Sequence, residues 1–238
     1  LTMTPAAQVF SASEILQEIL NGKRVDLLLK QWSKSNRYAG SKDRHAIRDF
    51  VYNGLRNKRS ALSKIKAPQS GRNWAIGVLI EANKDLNKYF NDETYSSSSL
   101  TIEEKQAIQK ATESTIPPDV KLNVPAFLWP IWNADLGDEA ENIAKNLCER
   151  APAFLRVNLQ RISIPKVQDI LLEDNIHTEQ HPSVATALII TSGQNKIKNC
   201  KAFRDGLVEI QDASSQASVI DLPKNSKLKI LDYCCGSG

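Results

Sequence analysis

Ala151-Pro152-Ala153-Phe154-Leu155-Arg156-Val157-Asn158-Leu159 divides the 238-residue chain into two kinds of sequence. Phe154 to Leu159 is short and apolar-alternating, the pattern of a strand with one buried face, and the Ala-Pro pair before it breaks what precedes. Upstream, apolar residues recur at helical spacing, so residues 1–150 are expected to be all-α. Ser11 and Glu14 fit a capping box that opens a helix running to about Leu28. A second helix is expected from Asp43 to Arg59, a third from Arg72 to Tyr89, a polar loop over Asn91 to Ser99, and another capping box at Thr101 and Glu104. In Pro125 to Leu136, Phe127, Leu128, Ile131 and Trp132 share one face and are expected in the core; Pro130 kinks this helix unless it lies in the first turn. Asp138 to Arg150 adds one more amphipathic helix. Downstream, Pro165 to Glu173 is helical, and Ile176 to His181, Ala187 to Thr191 and Leu207 to Gln211 are strand-like, which makes a small α+β unit.

The composition is 41% hydrophobic, enough for at least one full core, and no run approaches the roughly 20 apolar residues of a membrane-spanning helix. Without the basic-then-apolar layout of a signal peptide, a cytoplasmic, monomeric protein is expected. Cys148, Cys200, Cys234 and Cys235 show no paired ligand spacing, and His177 and His181 fall in strand-like sequence beside Pro182, so no metal site is expected. No carboxylate pair or Ser/His/Asp grouping stands out as a catalytic set.

Charge is distributed unevenly. Residues 1–66 hold 13 Lys/Arg against 5 Asp/Glu, or +8, whereas the remaining 172 carry 18 against 22, or −4. A basic front end suits a polyanion-binding module, because Lys and Arg facing phosphates release condensed counterions. In the Asp43 to Arg59 helix, Ile47, Val51 and Leu55 form a core stripe, and Arg44, Arg48, Tyr52, Arg56 and Arg59 fall within about 120° on the adjoining face. Such a stripe can grip a phosphate backbone and stack a base; it equally fits a hydrated helix surface.

At the other end, Lys227-Leu228-Lys229-Ile230-Leu231-Asp232 is an apolar strand feeding the small-residue turn Cys234-Cys235-Gly236-Ser237-Gly238. A glycine turn after a first strand lets an anionic ligand approach the backbone, as in nucleotide-type α/β folds, and it also fits a dinucleotide site or an ordinary tight turn.

The order of motifs adds to this. Phe203, Gly206, Gln211, Asp212 and Ser215 stand in an F-x-x-G-x-x-x-x-Q-D-x-x-S segment shortly before Leu231-Asp232-Tyr233-Cys234. Leu155-Arg156-Val157-Asn158 follows Ala151-Pro152, and Asp43-Arg44 and Tyr52-Asn53-Gly54-Leu55-Arg56 lie upstream. Together these resemble the RsmB/NOP2/Sun family of SAM-dependent RNA cytosine-5 methyltransferases. The resemblance implies a multidomain chain: a NusB-like helical RNA-binding domain over 1–150, an RRM-like α+β unit over 151–205, and the start of a Rossmann-like class I methyltransferase domain over 206–238. It implies S-adenosyl-L-methionine as cofactor, with Cys234, Cys235, Gly236, Ser237 and Gly238 in its binding loop, and RNA, specifically rRNA, as partner. Cys235 stands where the family has alanine, and Cys234 corresponds to the cofactor-loop cysteine, not the nucleophile. The family's chemistry runs through a cysteine thiolate attacking cytosine C6, with a second cysteine aiding release. Both belong to motifs that the 238 residues do not contain, so this chain alone is expected to be inactive. The alternatives are a non-catalytic NusB-like RNA-binding protein and a small-molecule methyltransferase; the basic front end argues against the latter.

Overall fold

The structure is a computed structural model that describes residues 2–220 together with Leu222, Lys229, Leu231 and Tyr233. The expected strand at 227–232, apart from Lys229 and Leu231, and the loop Cys234 to Gly238 lie outside the described residues. Two compact units divide between Arg150 and Ala151.

The first unit is helical. Helix α1 (Pro5–Leu20) starts at Thr4, whose Oγ1 accepts from the Ala7 N–H at 3.2 Å, with Pro5 in the first turn. The expected capping box at Ser11 and Glu14 is therefore corrected: both sit inside α1, because the apolar run that the helix buries begins at Ala6 and Val9, upstream of the Ser-x-x-Glu pattern. The expected continuation to Leu28 stops at Gly22, whose φ of +88° no helix accommodates, and α2 (Val25–Ser35) begins anew. Helices α3 (Ser41–Arg56) and α4 (Lys58–Ser63) replace the single helix expected over Asp43 to Arg59. Asn57 separates them, and the side chain of Asn123 holds the break open: its Oδ1 accepts from the N–H groups of Arg59 and Ser60, both at 3.0 Å. Helix α5 (Gly71–Glu81) is shorter than expected, since Asn83 turns left-handed at φ +51° before a 3-10 turn over Leu86–Lys88.

Helices α1, α3, α4 and α5 share a core of Val9, Leu16, Ile47, Val51, Ala61 and Trp74. Fully burying a side chain such as Ile47 or Val51 contributes about 1.5–3 kcal/mol. Two glycines set the spacing. A Cβ at Gly77 would lie 1.9 Å from the Ala61 carbonyl oxygen on α4, and one at Gly71 would lie 2.0 Å from that of Ser13 on α1. The capping box of α6 (Ile102–Thr112) forms as expected between Thr101 and Glu104. Short α7 (Pro118–Lys121) leads to α8 (Trp129–Leu136) and α9 (Glu139–Cys148). Pro130 lies in the first turn of α8 and so causes no kink. Leu128, Trp129 and Trp132 pack against Leu122, Val124 and Ala144, but Phe127 and Ile131, expected in the core, face outward at 76% and 53% exposure.

The second unit opens with β1 (Ala153–Val157), then α10 (Ile164–Glu173), β2 (His177–Gln180), β3 (Ala187–Ser192), α11 (Lys201–Arg204), β4 (Val208–Ile210) and α12 (Ala213–Ala217). The sheet order is β2-β3-β1-β4 with every neighbour antiparallel. Because β3 runs antiparallel to both β1 and β2, those two are parallel, and β1-α10-β2 is a crossover split by an inserted strand. Leu155 and Val157 point into a core with Val167 and Leu171 of α10, Leu188 of β3 and Val208 of β4. A third domain is expected to start at residue 206, yet Val208 pairs with Val157 and Ile210 with Leu155, so β4 completes this same sheet.

Candidate nucleic-acid interface

The turn from α2 to α3 is fixed from beneath by Asp43. This carboxylate is 1% exposed and accepts from the N–H groups of Gly40 at 3.0 Å and Met3 at 3.2 Å and from Gln8 Nε2 at 3.0 Å. Burial alone would raise its pKa; the donors outweigh it, so the carboxyl is held below its ordinary value and stays charged. Asp43 thereby closes the first turn of α3 and ties it to the start of α1. Its neighbour Arg44 donates from Nε to the Ala39 carbonyl at 2.9 Å, which anchors the guanidinium at the mouth of the turn.

Across that turn, α2 and α3 enclose an open cleft of about 670 Å³ lined by Lys30, Ser33, Lys34, Arg37 and Arg44. A smaller recess of about 140 Å³ adjoins it, lined by Leu29, Trp32, Ser33, Arg44, His45, Ile47 and Arg48. Neither is lined by a carboxylate. Arg44 and Arg48 therefore meet in one place, and Lys30 and Lys34 of α2 and Arg37 of the following turn join them. These three lie outside the expected α3 stripe, although Lys30 and Lys34 stand one helical turn apart and the basic excess of residues 1–66 includes them.

The remaining stripe residues divide. Tyr52 continues the α3 face at 37% exposure. Arg56 ends α3 with its Nε buried and without a partner among the described residues. Arg59 departs from the stripe: it lies on α4, pairs with Asp119 Oδ2 at 2.6 Å and donates to the Asp119 carbonyl at 3.2 Å, joining α4 to α7.

The sheet of the second unit offers less to a nucleic acid. Phe154, an aromatic on its outer face, is covered by Val184, Ala187 and Ala213 and meets His181 edge-on at 5.8 Å. Arg156 pairs with Glu209 at 2.7 Å. His181 itself is a loop cap, its Nδ1 accepting from the N–H groups of Ser183 and Val184. The motif residues from Phe203 to Ser215 shape the return from α11 through β4 to α12. Phe203 packs on the core, Gly206 turns left-handed at φ +66°, and Asp212 Oδ1 caps α12 by accepting from the Ser214 N–H at 2.8 Å. Among the described residues no group of three or more His, Cys, Asp or Glu converges as a metal site, and no helix is long and apolar enough to cross a membrane.

Comparison with known proteins fits this architecture. Residues 124–196 match the model of the RsmF/B-like methyltransferase ferredoxin-like domain, from the start of the α8 segment through β3. The ribosomal RNA small subunit methyltransferase B of Xanthomonas campestris is 30% identical over 115 residues, which is 46% of this chain and 26% of that protein. The protein of the same name from Pasteurella multocida is 30% identical over 125 residues, 52% of this chain and 26% of its own length. The matched region thus spans about a quarter of these relatives. In fold, the crystal structure of PH0851 superposes on 92% of the chain and 56% of its own, with a TM-score of 0.54 at 17% identity. Over its ferredoxin-like segment and the region shared with these relatives, the chain is similar to the RsmB/Sun family.

Proposed function

We propose that this chain is the RNA-recognition portion of a cytoplasmic SAM-dependent methyltransferase that acts on C5 of a cytosine in ribosomal RNA. The observation that carries the reading is the carboxylate-free cleft between α2 and α3, lined by Lys30, Lys34, Arg37 and Arg44, in a chain whose relatives are named rRNA methyltransferases. Cations on a fixed surface position an RNA by its phosphates, and only RNA geometry then selects the site. In this reading residues 1–150 form a NusB-like module that holds the RNA through Arg44, Arg48, Tyr52 and Arg56, with Arg59 bracing α4. The second unit is an RRM-like connector with its outer aromatic already covered. Residues Cys234 to Gly238 correspond to the family's cofactor loop, which would hold the methionine carboxylate of S-adenosyl-L-methionine; the cofactor supplies the methyl group. No residue of the 238 is assigned to the chemical step.

Bisulfite sequencing of small-subunit rRNA from cells with and without the gene tests this. Loss of one protected cytosine on deletion, restored by the gene, is the expected result. An unchanged pattern refutes the enzyme reading and favours a non-catalytic RNA-binding protein built on the same helical unit.

A further inference from the structure

We infer that the α2–α3 face takes an unpaired nucleotide of an RNA strand, with its flanking phosphates held by Lys30, Lys34, Arg37 and Arg44 and its base stacked on Tyr38. The inference rests on the RNA-binding reading of this face and specifies the form of RNA.

Uncompensated charge concentrates here. Several other cations of the helical unit have carboxylate partners: Lys23 with Glu18, Arg24 with Asp26, Arg59 with Asp119, Arg72 with Glu104 and Lys145 with Glu141, and on α3 itself Arg48 lies 3.8 Å from Asp49. Lys30, Lys34 and Arg37 form no ion pair among the described residues, and Arg44 donates only to a backbone carbonyl. Their mutual repulsion favours an anion in the cleft. Lys30 and Lys34 are four residues apart, about 6 Å along the helix, comparable with the step between neighbouring phosphates of one strand.

Beside these cations stands a ring in the open. Tyr38 is 67% exposed, and it is not loose. Its hydroxyl donates to Asn36 Oδ1 at 3.0 Å, Asn36 Nδ2 donates to the Trp32 carbonyl at 2.9 Å, and the Ala39 N–H closes the turn on the Asn36 carbonyl at 3.1 Å. The buried Asp43 and the Arg44 bond to Ala39 fix the same turn from the α3 side. An aromatic face held next to Arg37 is a stacking platform for a base. Bases of an A-form duplex have no free face to offer, because they stack on one another and the major groove is too deep and narrow for side chains. The combination therefore fits a strand whose base is splayed out, as in a loop or bulge.

The test is fluorescence anisotropy of the 238-residue chain with an unstructured 12-nucleotide RNA and with the blunt duplex of the same strand. Tyr38→Ala is expected to weaken single-strand binding by about tenfold, within the range measured for one stacked base, and to leave duplex binding unchanged. Tyr38→Phe, which keeps the ring, is expected to stay within about twofold of the wild type on both. Equal effects of Tyr38→Ala on the two RNAs, or no effect on either while both still bind, overturn the inference and leave the phosphate-binding reading standing. Wild-type chain that binds neither RNA overturns both.

Discussion

Gly77→Ala is the substitution for which local preference and packing disagree most. In an exposed helix interior, alanine for glycine stabilises by about 1 kcal/mol. Position 77 is in the middle of α5 and faces α4, where the new methyl would come within 1.9 Å of the Ala61 carbonyl oxygen and 2.5 Å of its carbonyl carbon. Ordinary contact begins near 3.4 Å, so α4 and α5 would have to separate by about 1.5 Å. The obstacle is main chain, which no rotamer change relieves. Overpacking of this kind costs about 1–3 kcal/mol, with the upper end expected for a backbone shift, so the net destabilisation should be about 2 kcal/mol. Urea unfolding followed by tryptophan fluorescence reads it cleanly, because Trp32, Trp74, Trp129 and Trp132 all belong to the helical unit. Adding Ala61→Gly should not rescue the variant, since it removes a side chain that is not the one in conflict. A Gly77→Ala protein as stable as the wild type, or more so, would refute the close α4–α5 approach.

Asn123 reaches across the chain to cap α4, and its own φ is +57°. Asn123→Gly keeps the backbone preference and loses the cap; a loss of about 1 kcal/mol in urea unfolding is expected, and no loss would exclude the long-range cap. The hydrogen bond from Arg72 holds the Glu104 carboxyl below the usual glutamate range despite partial burial. A depressed folded pKa means that the pair's contribution is fully present above the unfolded value of about 4.3 and is lost as pH falls through the lower folded value. Urea midpoints of the wild type should therefore fall more steeply between pH 5 and pH 3 than those of Glu104→Gln; parallel curves would contradict the assignment.

Much of the fold is legible in the sequence wherever the deciding interaction is local. The Thr101–Glu104 box, the Ile47 and Val51 stripe and the Leu155 and Val157 alternation each need only neighbours within a turn or a strand. What was missed depends on distant partners. The break at Asn57 is capped from Asn123, and Arg59 leaves the arginine stripe for Asp119, 60 residues away. Phe127 and Ile131 share a face with the half-buried Leu128 and Trp132, but periodicity does not say how far a covering helix extends. The candidate interface was half visible. Arg44, Arg48, Tyr52 and Arg56 follow from spacing on one helix, whereas Lys30, Lys34 and Arg37 join them only because the Asn36 to Gly40 turn folds α2 against α3. In the sequence Gly54 stands only as part of the Tyr52-to-Arg56 motif. In the structure its carbonyl accepts from Trp74 Nε1 at 3.1 Å, and a Cβ there would already touch Val78, so the residue serves the core behind the interface.

The central claim is that the α3 face and its α2 neighbours hold RNA by its phosphates, and the salt dependence of affinity tests it most directly. For single-stranded RNA each phosphate contact contributes about 0.7 to the slope of log affinity against log salt. Replacing Arg44, Arg48 and Arg56 together by alanine, with helicity checked by circular dichroism, should weaken binding and flatten that slope by about 2. Unchanged affinity and an unchanged slope would contradict the account.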